Sequence, residues 1–180
     1  MLTNEDWWVK IELQYIKVGE SGKLKIQLFL LTIKIGMFIG EYQHSIDPKK
    51  RLAVPSKFRN DLKNKVVVTK GLDKCLIIYP MKVWQELAEK LGTLPIGESS
   101  TRSFVRSMLA GAVDCEIDKQ GRILIPDFLK SYAALDKNVI IAGVYNRLEI
   151  WDEKKWGNYK KNAEKNTDEI AEQLGKLGVY

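Results

Sequence analysis

The sequence predicts an α+β protein, mainly β, made of two copies of one strand-turn-strand-helix unit. Three observations lead to this prediction: an internal repeat, apolar residues that alternate with polar ones, and Pro or Gly at the expected turns. The chain has 180 residues, of which 45% are hydrophobic, so it can build a core. Neither copy alone would bury enough apolar surface to be stable. We therefore expect the two copies to fold together, with their strands exchanged or packed face to face.

The repeat becomes visible when residues 40–59 are aligned with residues 111–130. The offset is 71 in this part, and a one-residue insertion changes it to 72 further along the chain. The matched pairs are Gly40 and Gly111, Ile46 and Ile117, Asp47 and Asp118, Arg51 and Arg122, Pro55 and Pro126, Val67 and Val139, Gly71 and Gly143, Leu76 and Leu148, Ile78 and Ile150, Tyr79 and Trp151, and Trp84 and Trp156. So many matches with a single gap indicate a duplication.

Both copies show the same series of local signals. Alternating apolar residues predict a first strand, a tight turn follows, and a short apolar strand after it is expected to be buried on both faces. A proline then begins a short helix, and a hairpin and an amphipathic helix complete the copy. In the first copy these elements are the strand 42–46, the turn 48–50, the short strand 52–54, the helix that begins at Pro55, the hairpin 66–79 with its loop at 71–74, and the helix that carries Trp84. In the second copy they are the strand 113–117, the turn 119–121, the short strand 123–125, the helix that begins at Pro126, the hairpin 138–151 with its loop at 143–146, and the helix that carries Trp156.

The repeat divides the chain into five segments. The first repeat covers residues 37–91 and the second covers residues 111–157. Residues 92–110 between them are predicted to be a linker followed by a helix. Residues 158–180 are rich in Lys, Glu and Asn, which is typical of an exposed helical tail. Residues 1–36 lie outside the duplication and form an N-terminal extension.

Positive charge is concentrated in one part of the chain. The formal net charge is +6. Residues 47–63 carry six Lys or Arg against two Asp, whereas residues 152–180 carry six residues of each sign. A basic segment in a chain of otherwise mixed charge suggests a polyanionic partner, and a solvated basic face is the alternative.

The residues that metal, redox or catalytic sites need are scarce. Cys75 and Cys115 lack the Cys-x-x-Cys spacing, and His44 is the single histidine. We therefore expect no metal, no cofactor, no catalytic residue and no small-molecule substrate, with both cysteines in the core of a cytosolic protein. The acidic residues of the strand 113–117 could bind a hard cation, but a solvated face is the simpler interpretation.

Residues 26–39 form the one strongly apolar run of the chain. The run is too short, and too interrupted by Gln27 and Lys34, to span a bilayer. It also lies too far from the start of the chain to be a signal peptide. We expect no contact with a membrane and a cytoplasmic location.

In each copy an Asp precedes an Arg by four residues across the tight turn: Asp47 and Arg51, and Asp118 and Arg122. A carboxylate at this position can accept N–H groups of the turn and can also hold the guanidinium group. The Arg then becomes a preorganised fork for phosphate oxygens or a guanine edge, and the duplication would present two forks on one side of the molecule. The alternative is an ion pair that only stabilises each hairpin, but such a pair would not need the basic residues beside it.

With these motifs, the sequence resembles the MraZ family over residues 37–165. The resemblance rests on the segments Met37–Tyr42, Asp47–Arg59, Gly71–Leu76, Gly111–Pro126 and Leu148–Trp151. It implies a duplicated swapped-hairpin (double-split) β-barrel with short peripheral helices, related to the AbrB and MazE families. It also implies ring-like homo-oligomers that are nucleoid-associated and bind double-stranded DNA at direct repeats upstream of the protein's own operon.

The resemblance carries a DNA-contact role onto the arginines of the two turns, with Asp47 and Asp118 supporting them. Their polar neighbours in the turns are expected to contact DNA as well. The expected DNA-binding residues are Arg51, Arg122, Lys49, Lys50, Lys119 and Gln120.

Two features depart from the family pattern. Lys50 stands where the family usually has Gly, so we expect the first turn to be tighter or differently shaped. Residues 1–36 precede Met37, where the family pattern begins. We interpret them as the product of a misassigned start codon, with a genuine extra strand pair as the alternative.

The leading functional hypothesis is a sequence-specific DNA-binding transcriptional regulator that represses its own division and cell-wall operon. The alternative is an oligomeric interaction module whose basic face binds an acidic protein partner. An enzyme is disfavoured, because each Asp has a cation within reach and would stay ionised, which makes it a poor general acid.

Overall fold

A computed structural model describes residues 37–165 and 167–176. In chain order its helices and strands are β1 (Phe38–Ser45), β2 (Arg51–Ala53), α1 (Ser56–Leu62), β3 (Lys65–Lys70), β4 (Leu76–Pro80), α2 (Met81–Gly92), α3 (Ser99–Leu109), β5 (Val113–Glu116), β6 (Arg122–Leu124), α4 (Asp127–Ala133), β7 (Asn138–Tyr145), β8 (Arg147–Asp152), α5 (Glu153–Lys165) and α6 (Thr167–Gly175). Pro55 and Pro126 directly precede α1 and α4, as the sequence predicts. The N-terminal extension 1–36, and with it the start-codon interpretation, lies outside the described residues.

Six strands form one antiparallel sheet in the order β1-β7-β8-β4-β3-β5. The remaining two, β2 and β6, pair with each other in a two-stranded ribbon, which we call the ribbon. The sheet order is pseudo-symmetric: if each strand of the first copy (β1–β4) is replaced by its equivalent in the second copy (β5–β8) and the reverse, the same order results, read from the other edge. Accordingly, β1 pairs with β7 and β5 pairs with β3, so the first strand of each copy pairs with a strand of the other copy.

The α+β class with mainly antiparallel strands is confirmed, but the described strands form no closed barrel. The sheet is open, with β1 and β5 as its outer strands. The ribbon meets the sheet at the isolated bridge between Ile46 and Leu52, and its two strands hydrogen-bond to each other. Because the ribbon satisfies its own hydrogen bonds in this way, it does not join the two outer strands of the sheet into a ring.

The main core lies between one face of the sheet and the layer formed by the ribbon, α1 and α4. Both copies contribute equivalent side chains, such as Leu52 and Ile123 from the ribbon. Phe58 of α1 contacts the rings of Phe38 and Tyr42 edge-on, with centroids 5.3 and 5.2 Å away. The core therefore forms only when the two copies are together, as expected from the small size of each copy.

The other face of the sheet carries a smaller apolar cluster, which α2 and α5 cover. In each copy a helix tryptophan packs on an aromatic residue of the sheet. The ring centroids are 5.8 Å apart for Tyr79 and Trp84, and 5.5 Å apart for Trp151 and Trp156. Both helix tryptophans are half-buried and belong to this second cluster, so they hold the helices onto the sheet instead of filling the main core.

The second hairpin is tighter than the sequence predicts. Gly143 and the two residues after it belong to β7, and only Asn146 separates β7 from β8. The first hairpin keeps a short 3₁₀ turn at Leu72–Lys74. The difference follows from pairing lengths: β7 is held extended by all eight residues of β1, whereas β3 is paired with only four residues of β5.

The ribbon gives a direct test of this packing. Ile123→Ala should lower the free energy of unfolding by about 2–5 kcal/mol, because it leaves a cavity in the main core. Leu124→Ala, at the next position, should change it by less than about 1 kcal/mol, because Leu124 is exposed. Urea denaturation followed by tryptophan fluorescence measures both values. Equal effects of the two substitutions would contradict the orientation of the ribbon.

Candidate nucleic-acid interface

The ribbon turns its two arginines to the same side of the molecule. Successive residues of a strand point to opposite faces. Leu52 and Ile123, which pair with each other, are buried in the main core. Arg51 and Arg122 therefore point outward, and they occupy diagonal positions of the antiparallel pair, where side chains start about 7–8 Å apart. This agrees with the prediction of two arginine forks on one side.

The outward face of the ribbon also carries Ala53 and Leu124. Ala53 is half-buried, and the side chain of Leu124 is 56% exposed. The expectation that both short strands are buried on both faces is therefore wrong. Only one face of the ribbon packs on the core, and no described element covers Leu124.

Each Asp holds both the backbone and the side chain of its Arg. In the first turn, Oδ1 of Asp47 accepts the Arg51 backbone N–H at 2.9 Å, and Oδ2 accepts Nε–H at 2.7 Å. In the second turn, Oδ1 of Asp118 accepts the Arg122 backbone N–H at 2.9 Å, and Oδ2 accepts Nε–H at 2.9 Å and Nη2–H at 2.7 Å. The predicted pairing of the Asp with both the turn and the guanidinium is confirmed.

These pairs leave part of each guanidinium available. Arg has five N–H donors in a planar fork, and the Asp takes the Nε side. Nη1 of Arg51 and of Arg122 makes no hydrogen bond within residues 37–165 and 167–176. Both side chains are half-buried, with exposed fractions of 32% for Arg51 and 24% for Arg122. Within the described residues the Nη1/Nη2 edge can form two parallel hydrogen bonds, which suits a phosphate or the O6 and N7 atoms of guanine.

The arginines keep both carboxylates ionised. The side-chain hydrogen bond from Arg122, followed by its backbone N–H, lowers the pKa of Asp118 to about 2. The same two bonds from Arg51 lower the pKa of Asp47. Each Asp–Arg pair thus has no net charge at neutral pH, so the pair fixes geometry and the electrostatic attraction of an anion depends on other residues.

The two turns have the same shape, against the expectation from Lys50. The N–H of Lys50 donates to Asp47 O at 2.8 Å, and the N–H of Gly121 donates to Asp118 O at the same distance. Lys50 has φ +62° and Gly121 has φ +77°. A lysine can adopt this left-handed conformation at a cost of about 1–2 kcal/mol, so the missing glycine does not change the turn.

Each turn is held by the other copy. The Val54 N–H donates to Gly121 O at 2.9 Å, and the Ile125 N–H donates to Lys50 O at 2.9 Å. Because the tip of each turn is bonded to the residue after the other copy's short strand, the two turns and the ribbon form one hydrogen-bonded unit. Sequence reasoning did not find this link, since it depends on the pairing of β2 with β6.

Arg59 is a further cation at the second turn that the sequence did not assign there. Its Nε–H donates to Val54 O at 2.9 Å. Its guanidinium lies against Gly121, in space that a Cβ at this position would occupy. Glycine is favoured at this position by its positive φ, and the absence of a Cβ leaves room for the guanidinium group. Only the basic composition of residues 47–63 hinted at a role for Arg59.

The other predicted site residues lie at the surface of the turns. Lys49, Lys119 and Gln120 are exposed. Nζ of Lys50 lies 2.6 Å from a carboxylate oxygen of Asp127, and both side chains are exposed. The carboxylate of Asp127 neutralises part of the positive charge of Lys50. Lys49 and Lys119 are therefore better placed to attract an anion.

Two further polar side chains, Arg102 and Asp114, have structural partners. Nη1 of Arg102 donates to the carbonyl oxygens of Ile96 and Gly97, which holds the loop before α3. Asp114 forms an ion pair with Lys65 at 2.6 Å. Among the described residues no three His, Cys, Asp or Glu side chains are grouped so that they could hold a metal ion. None of the helices in this part of the chain has the length and apolar character needed to cross a membrane.

Comparisons with known proteins give one consistent result. The family model described as "MraZ protein, putative antitoxin-like" matches residues 37–107 and again residues 108–177. The chain is 50% identical over 143 residues to the "Transcriptional regulator MraZ" of Halothermothrix orenii. The matched residues cover 79% of this chain and 100% of the relative. It is 51% identical over 138 residues to the protein of the same name from Natranaerobius thermophilus, covering 77% and 96% of the two chains.

The Asp118–Arg122 pair can be tested by titration. We expect Arg122→Ala to raise the pKa of Asp118 from about 2 toward the ordinary value of about 3.9. Because the folded-state pKa is lowered, the stabilisation from this pair is present above about pH 4 and is lost as the pH falls through about 2. Carboxyl ¹³C shifts measured by NMR near pH 3 should show Asp118 mostly ionised in the wild type and protonated to a larger extent in the variant, in which the backbone N–H groups of residues 120 and 122 still bond the carboxylate.

Lys161→Ala, which removes an exposed cation on α5, is the control and should leave this titration unchanged. An unchanged Asp118 pKa in Arg122→Ala would contradict the pairing.

Proposed function

Because the chain belongs to the MraZ family, we propose that it is a transcriptional regulator that binds double-stranded DNA with the ribbon and its two turns. The names of its relatives support the regulator class. The expectation that the chain is not an enzyme agrees with this family. The observation that carries the proposal of DNA binding is the outward orientation of Arg51 and Arg122 on one face of the ribbon.

The ribbon has a suitable size for the major groove. That groove is about 12 Å wide in B-DNA and admits a two-stranded β-ribbon. With the buried face on the core and the outward face in the groove, Arg51 and Arg122 would both reach base edges. Their guanidinium groups are already oriented by Asp47 and Asp118, so binding costs less side-chain entropy than it would with free arginines.

The cations around the ribbon, exposed at Lys49 and Lys119 and half-buried at Arg59, would contact the phosphates. Each Asp–Arg pair is neutral, so Lys49 and Lys119 at the turn tips, together with Arg59 beside Gly121, would supply the attraction. Lysine is a flexible point charge and suits phosphate better than a base edge. Lys50 would contribute less, since Asp127 competes for it. Gln120 at the second turn would add a hydrogen bond.

We extend the proposal to the remaining features that the family resemblance implies. These are a swapped-hairpin architecture, a ring-like homo-oligomer, a cytoplasmic and nucleoid-associated location, and repression of the protein's own operon from upstream direct repeats. The cross-copy pairing of β1 with β7 and of β5 with β3 supports the exchange of strands. The two successive matches to the family model, over residues 37–107 and 108–177, support a duplication. The division into repeats 37–91 and 111–157 with the segments 92–110 and 158–180 is part of the proposal.

The second candidate function is binding of an acidic protein, to which the words "antitoxin-like" in the family description point. The same exposed cations would serve it. The two candidates differ in what the arginines recognise. In the first they bind DNA bases, so affinity depends on the base sequence, and in the second they bind carboxylates of a protein, so it does not. Discrimination between DNA sequences by the purified chain therefore favours the first candidate.

The proposed function predicts the behaviour of the arginine variants in a gel shift with DNA from upstream of the chain's own gene. Arg51→Ala and Arg122→Ala should each weaken binding by about 1–3 kcal/mol, because each removes a specific hydrogen-bonding group. Lys161→Ala, which makes the same change of charge on α5, should bind normally. Wild-type affinity in both folded arginine variants would contradict the proposal.

A further inference from the structure

Leu124 is an exposed aliphatic side chain between buried neighbours. Ile123 and Ile125 are 1% and 0% exposed, whereas Leu124 is 56% exposed. Strand alternation explains its outward direction, and a single exposed leucine is common at protein surfaces. What distinguishes Leu124 is its place in the ribbon, on the face that carries Arg51 and Arg122. The position therefore offers an apolar contact on the same surface as the two arginines.

The register places Leu124 directly opposite Arg51 in the ribbon, and Ala53 directly opposite Arg122. Directly opposite residues have Cβ atoms about 4.5–5.5 Å apart, so Leu124 and Arg51 act on neighbouring parts of any bound surface. The equivalent residue Ala53 is small and half-buried. The two ends of the ribbon have the same strand pairing, but one carries a large exposed leucine beside its arginine and the other a small half-buried alanine.

In the major groove, thymine is marked by its C5-methyl group, and guanine by the acceptors O6 and N7. An aliphatic side chain beside an arginine fork matches a thymine beside a guanine. We propose that Leu124 is a specificity-determining residue that contacts a thymine methyl group next to the guanine bound by Arg51. The inference rests on the proposed function, since it needs the ribbon in the major groove.

The test replaces thymine by uracil, which removes the methyl group and leaves base pairing unchanged. The full chain is titrated with DNA from upstream of its own gene, in thymine and uracil forms, by fluorescence anisotropy. For each thymine methyl group that Leu124 touches, wild type should bind the uracil form about four-fold more weakly, on the scale of one buried methylene group. Leu124→Ala should bind thymine DNA as weakly as wild type binds uracil DNA, and uracil should weaken its binding no further.

Leu72→Ala, which truncates an exposed leucine in the turn between β3 and β4, is the matched control and should keep the full uracil penalty. The inference is overturned if Leu124→Ala keeps that penalty, or if wild type does not distinguish the two DNAs. It is also overturned if Leu124→Ala changes the oligomeric state in sedimentation, because Leu124 would then lie between copies of the chain.

The outcomes separate this inference from the proposed function. If wild type binds no DNA, both fail. If wild type binds DNA, the variants Arg51→Ala and Arg122→Ala lose affinity, and uracil has no effect, then only the role of Leu124 fails.

Discussion

The pairing of β2 with β6 is the constraint on which the candidate site depends. It buries Leu52 and Ile123 in a core shared by both copies and thereby turns Arg51 and Arg122 outward together. The hydrogen bonds that each copy sends to the other's turn then fix the turn tips relative to the ribbon. Each Asp–Arg contact forms within one copy, but the outward face that carries both arginines exists only when β2 pairs with β6. Folding of the two copies and assembly of the site are thus one event.

In the proposed DNA complex, two kinds of residues have different parts in recognition. The Asp–Arg pairs carry no net charge, so they contribute direction and hydrogen-bonding geometry more than attraction. The lysines around them are flexible and exposed, and they contribute charge with little geometry. Such a division separates affinity for any polyanion from discrimination between base sequences. The two ends differ, with Leu124 at one and Ala53 at the other, and under the proposed function this difference would give each half of the ribbon its own base preference.

Much of this could be predicted from sequence wherever the cause is local. The order of elements follows from local patterns of apolar and turn residues, and each Asp–Arg contact joins residues four positions apart. Both predictions agree with the structure. The exposure of Leu124 could not be predicted, because a three-residue apolar run fits burial on one face or on two. The shape of the first turn was wrongly predicted, since Lys50 adopts the left-handed conformation that glycine has in the second turn. The position of Arg59 over Gly121 depends on contacts between copies that spacing does not reveal.

The central claim is that Arg51 and Arg122 bind different bases from one face of the ribbon. Methylation interference at guanine N7 tests it most directly, with the upstream DNA and the wild-type chain. Two groups of guanines should interfere with binding when methylated, and Arg51→Ala should remove the interference at one group and Arg122→Ala at the other. Interference that persists unchanged in both variants, or its absence with wild type, would show that the ribbon does not contact guanine in the major groove.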